Sequence, residues 1–139
     1  MDNFLWRLPV YAAALWWGSL TTIGFLVVPL LFMHLPTPAL AGGMAAKLFT
    51  AQTWVSVTCG GILLLTSTSK QASAPAQRAH DAIVFILLGM LLALLVEFAV
   101  APRIVTRTNL KLWHSVGSVM YLVQWLCAAI VFWRITPKQ

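Results

Sequence analysis

Little in this chain carries charge. Only 9% of its 139 residues are charged, with three acidic side chains against nine basic ones. Together with a hydrophobic content of 60% and a mean hydropathy of +0.87, that scarcity excludes an ordinary soluble globular domain. Cysteine is nearly absent. Cys59 and Cys127 both fall inside apolar runs, where buried small side chains are expected rather than a disulfide. The chain has no CxxC, no HExxH, no glycine-rich phosphate loop, and no Ser or Cys with an evident His and carboxylate partner. It is therefore not expected to be an enzyme or to bind nucleic acid, and the sequence names no cofactor.

What is present is apolar length. Four runs, about residues 9–33, 48–66, 82–101 and 112–133, are each long enough to cross a hydrocarbon core of about 30 Å at about 1.5 Å per residue. With no water to satisfy the backbone, each must be helical, and four strands could not close a barrel. The first run is too long for a signal peptide and is polar inside, at Ser19, Thr21 and Thr22. The expected fold is all-α: one integral membrane domain over residues 1–139, a four-helix antiparallel transmembrane bundle. In HLPTPALAGG, two prolines and a Gly-Gly pair surround a short apolar piece. Residues 36–47 are expected to form a short interfacial helix between the first two spans, with Leu40, Met44 and Leu48 on its apolar side. Pro102 is expected to end the third span, and Pro29 to bend the first.

Alternating threading places the termini and the second connection at one membrane face, with Arg7, Lys70, Arg78, Arg134 and Lys138. The first and third connections lie at the other, with Lys47, Arg103, Arg107 and Lys111. The positive-inside rule then favours cytoplasmic termini. Trp6, Trp113 and Trp133 fall near helix ends and Trp16, Trp17, Trp54 and Trp125 within a few turns of one, as in an aromatic belt.

One acid lies within the spans. Glu97, in LLVEFAVAPRIV, lies four residues from the expected end of the third span, about 6 Å below the membrane surface by the helical rise. Threading brings Arg103, Lys111, His114, His34, Lys47 and Gln52 to the same face. Either Glu97 snorkels to Arg103 or Lys111, or it forms the floor of a polar ligand pocket with Arg103, His114, Lys47, Gln52 and His34 around it. His34 with Met33 and Met44 is the best soft-metal cluster, without a repeated ligand spacing. His80 and Asp81 read as start and capping residues of the third helix. Stripes of small and polar residues are expected to face inward, where helices pack closely: Gly18, Thr22 and Pro29 in the first span, Gly60 in the second, Gly117 and Ser118 beside His114 in the fourth.

LFMHLPTPALAGGMAAKLFT, APRI and LWHSVGSVMYL together resemble the family of transmembrane protein 205 and its bacterial relatives, whose shared domain has no assigned function. The pieces are Pro29, Leu31-Phe32, Leu35-Pro36, Gly42, Lys47-Leu48-Phe49, Pro102-Arg103, and His114 with Ser118, and the resemblance covers about residues 12–125. The resemblance implies a four-span membrane protein in the bacterial inner membrane. The long polar insertion of eukaryotic relatives before the last span is replaced here by PRIVTRTN. The animal member's association with tolerance of platinum drugs implies export or trafficking, and a fainter likeness to copper-resistance D proteins keeps soft metals in view.

Two functions follow as expectations. One is handling of a small ion, soft metal or other solute through the polar pocket. The other is a non-catalytic membrane scaffold or assembly partner. The expected partners are the lipid bilayer and a second copy, or a larger homo-oligomer, of the chain.

Overall fold

The structure is a computed structural model that describes residues 2–68 and 74–136, with side chains from Arg7 onward. Lys70, Lys138 and the Trp6 side chain lie outside what is described. The first span is built from α1 (Asp2–Thr22), a π-helical turn (Ile23–Val27) and α2 (Val28–His34). After a break at residues 35–37 comes α3 (Pro38–Ser67), then α4 (Ala74–Asp81). The third span runs through α5 (Ile83–Leu95), a second π-helical turn (Val96–Val100) and α6 (Ala101–Val105), and α7 (Leu110–Ile135) is the fourth. Four helical stretches, Arg7–His34, Pro38–Ser67, Ile83–Val105 and Leu110–Ile135, are long and apolar enough to cross a membrane. The chain is an integral membrane protein.

Neither Pro29 nor Pro102 stops its helix. A proline ring clashes with the carbonyl four residues back and offers no N–H to it. Ahead of Pro29 the ladder widens so that Val28 N–H reaches Ile23 O, and ahead of Pro102 Ala101 N–H reaches Val96 O, both spanning five residues. Each π turn gives the ring room, and the helix continues beyond it. Pro102 thus corrects the expectation that it ends the third span, which runs on to Val105.

The separate interfacial helix is also corrected. Residues 38–47 are helical but continuous with the second span in one 30-residue helix. Thr37, extended at φ −137°, accepts a bond from Leu40 N–H at 3.3 Å, and Pro38 occupies the first turn, so the helix starts there firmly. Gly42 and Gly43 cost helix propensity, about 1 kcal/mol each, but make no break. Ala41 and Ala45 are the buried side of this stretch, while Leu40 and Met44 face outward.

Packing is a four-sided ring: α1 lies against α3 and α7, and α5 lies against the same two. The shared core holds Trp16, Leu20, Leu63, Ile86, Val131 and Ile135, packed among alanines and Cys59. Small residues let the large ones in. A methyl group on Gly89 would stand 2.8 Å from the Trp16 ring, and one on Gly60 would run into the Met90 side chain. In the polar second connection, α4 buries Ala76 and Ala79 against the bundle. Asp81 ends α4 and does not cap the next helix; the residue before α5 is Ala82, with no side-chain cap bond. Between α6 and α7, Arg107 and Asn109 take positive φ of 56° and 48° to turn the chain within four residues.

Candidate functional site

Glu97 sits in the second π turn, on the seam between α3 and the third span. Thr50 of α3 donates its single hydroxyl proton to the carboxylate, 2.9 Å from Oε1 and 3.1 Å from Oε2. The expected partner, Arg103, is engaged elsewhere. It donates to Ala99 O one turn back, and its guanidinium lies 4.5 Å over the Trp113 ring. No ion pair forms among the described residues, so the carboxylate is held by a neutral hydroxyl alone.

The other residues expected around Glu97 share its end of the bundle without converging on it. His34 donates Nδ1–H to Leu30 O at 3.0 Å, within its own helix, and faces outward. Lys47 and Lys111 are exposed. His114 and Ser118 lie on the outer side of α7, with the serine hydroxyl donating back to His114 O at 2.9 Å. His114 and Ser118 therefore depart from the inward stripe expected for α7, while Gly117 and Tyr121 keep to it: a serine hydroxyl that bonds within its own helix needs no interior place. Thr22 and Pro29 are likewise exposed, and a methyl on Gly18 would meet nothing within 4 Å. Of the residues proposed for close packing, Gly60 does so, and Gly117 does so against Val100, 3.2 Å from where a methyl would stand.

Gln52 is the exception, because it leaves that end and enters the core. It is 2% exposed and donates Nε2–H to Ser19 Oγ at 3.0 Å and to Ser56 Oγ at 3.4 Å. Ser56 in turn donates to Gln52 O and accepts from Gln124 Nε2 at 2.9 Å. Three spans are thereby tied through one buried polar cluster. Its carbonyl end is unsatisfied: Gln52 Oε1 has no partner, and neither does the indole N–H of Trp16 or of Trp17. Gln124 was not anticipated; it follows Val123 in an apolar run, and its spacing of three from Tyr121 is the signal that could have found it.

The tryptophans divide. Trp54 and Trp133 face outward as a belt requires, with Trp133 78% exposed. Trp16 is fully buried, while Trp17 stacks on Phe132 at 5.6 Å and Trp125 donates to Thr21 Oγ1 at 2.8 Å. Trp16 is a core residue, which corrects the belt reading for it, while Trp17 and Trp125 are half-buried against that core. Tyr121 donates its hydroxyl to Leu20 O at 2.8 Å, fastening α7 to α1. Met33 is 75% exposed, and the described residues hold no group of three His, Cys, Asp or Glu that could bind a metal. Both cysteines are buried and free, as expected.

Comparison with known proteins adds one finding. Residues 11–112 match the family model described as Domain of unknown function (DUF4149), and the chain belongs to that family. No curated protein and no solved structure matches it.

Proposed function

We propose that this DUF4149 protein is a non-catalytic membrane assembly partner that docks a second copy of itself along the seam between α3 and the third span. The observation that carries this reading is the state of Glu97, a partly exposed carboxylate inside a membrane span whose sole described partner is the Thr50 hydroxyl. A charge at that depth is costly unless a further polar group covers it. The outer arc of α3 offers one, because Lys47, Thr50 and Trp54 are all exposed along it. In a two-fold dimer about the membrane normal, equal depths face each other, and Lys47 lies about 4.5 Å from Thr50 along the axis by the helical rise. Lys47 of one copy then reaches Glu97 of the other. Native mass measurement in detergent tests this. Glu97→Lys and Lys47→Glu should each lose the dimer and the doubly reversed chain should regain it; a wild type monomeric at every concentration, or no rescue, overturns the proposal.

The second reading is solute handling, and a different observation favours it: the orphaned Gln52 Oε1 inside the bundle. A small polar solute or ion seated there would satisfy that acceptor. Metal analysis and intact mass of the purified chain, with and without chelator and in Gln52→Leu, distinguish this from assembly. The same proposals carry kinship with the transmembrane protein 205 group and residence in a bacterial inner membrane with cytoplasmic termini. They are supported by the motif pieces and by the basic residues at the terminal face.

A further inference from the structure

At the end of the bundle opposite Glu97, two arginines cross. Arg78 of α4 donates Nη1–H to Ile135 O at the end of α7, at 3.0 Å. Arg134 of α7 donates Nη1–H to Asp81 O at the end of α4, at 3.1 Å. Each guanidinium caps the other helix, and each keeps most of its five N–H donors. Both line a cavity of about 610 Å³ with Asp81, Trp133 and Thr136. The Thr136 hydroxyl is spent on Phe132 O, so the cavity's charged donors are the two guanidiniums, beside the indole N–H of Trp133. Neither has a carboxylate partner among the described residues, and two positive charges face one negative.

We propose that this cavity binds the phosphate of an anionic phospholipid headgroup. Arginine forks suit phosphate oxygens, and these two are held in place by backbone carbonyls, so little freedom is lost on binding. Depth fits a lipid source. The cavity lies where the apolar runs of α5 and α7 end, and Trp133 stands outward beside it, as an indole does at the headgroup level. Val84 and Leu87, exposed on α5 just below, offer acyl chains an apolar track. Basic pockets between spans at a membrane face are known lipid-headgroup sites.

Native mass spectrometry of the full chain, released from detergent with phosphatidylglycerol or phosphatidylcholine, reads the site. Phosphatidylglycerol should be retained in preference. Arg78→Gln and Arg134→Gln should each weaken that retention about tenfold, the loss of one charge-assisted hydrogen bond. Because those variants also loosen the clasp, Asp81→Asn is the decisive companion. It removes the opposing charge while leaving the backbone carbonyl that Arg134 uses, and should raise phosphatidylglycerol retention several-fold. Arg103→Gln, at the far end, should change nothing. Equal retention of the two lipids, an unchanged Asp81→Asn, or an equal fall in Arg103→Gln overturns the proposal. Displacement of the lipid by inorganic phosphate at matching concentration overturns the lipid assignment.

Discussion

The two ends of the bundle treat their charges differently. At the terminal end, Arg78 and Arg134 reach across to each other's helix, so each cation fixes tertiary structure. At the end of the first and third connections, His34 turns back on a carbonyl four residues away in its own helix, Arg103 does the same while lying over the Trp113 ring of α7, and Lys47, Lys111 and His114 face outward. A side chain bonded across elements cannot be spared by the fold; one bonded to its own helix can. The first end thus uses Arg78 and Arg134 to join two helix ends by hydrogen bonds, whereas the second leaves Lys47, Lys111 and His114 exposed.

Substitutions can break that contrast, beginning from the core that joins the ends. Trp16→Ala should cost the most, about 3–5 kcal/mol, because the fully buried ring fills the space that Gly89 leaves. Thermal unfolding in detergent micelles would measure it, and a loss near zero would mean the interior is not packed as described. Arg134→Gln should cost about 1–2 kcal/mol through the clasp, and Arg78→Gln in the same chain should add less than its separate effect, since the two bonds join the same pair of helix ends. Full additivity would show that the cations act independently. Glu97→Gln should change protomer stability by less than about 1 kcal/mol, because Thr50 can still donate to the amide oxygen. If its cost equals that of Arg134→Gln, the two ends are alike and the contrast fails. Gln52→Leu should have the smallest net effect, since it removes an unsatisfied acceptor along with its bonds to Ser19 and Ser56. A large loss there would point to a group that satisfies Oε1 in the native membrane.

The candidate site was only half legible beforehand. Glu97 was visible because a carboxylate is conspicuous between Val96 and Phe98, and threading alone brought it to one end with Arg103 and His114. Its partner was not. Thr50 lies 47 residues away, and threonine in a span usually bonds its own helix, as Thr53 does to Phe49 O. Gln52 was placed at that same end by depth, yet lies in the core, because depth fixes a level along the helix and says nothing about the direction around it.

Number, order and approximate limits of the four spans followed from the sequence alone, since any apolar stretch long enough to cross hydrocarbon must satisfy its backbone as a helix. Continuity through Pro29 and Pro102 was decided by tertiary structure, where a widened π turn could be packed ahead of each ring. So was the inward face of each helix. In a soluble bundle, water marks the outer face by demanding polar residues there. Lipid accepts the same side chains that the core does, so Trp16 and Trp54, or Ser56 and Ser118, look alike in sequence until the neighbouring helices are in place to bury one and leave the other facing out.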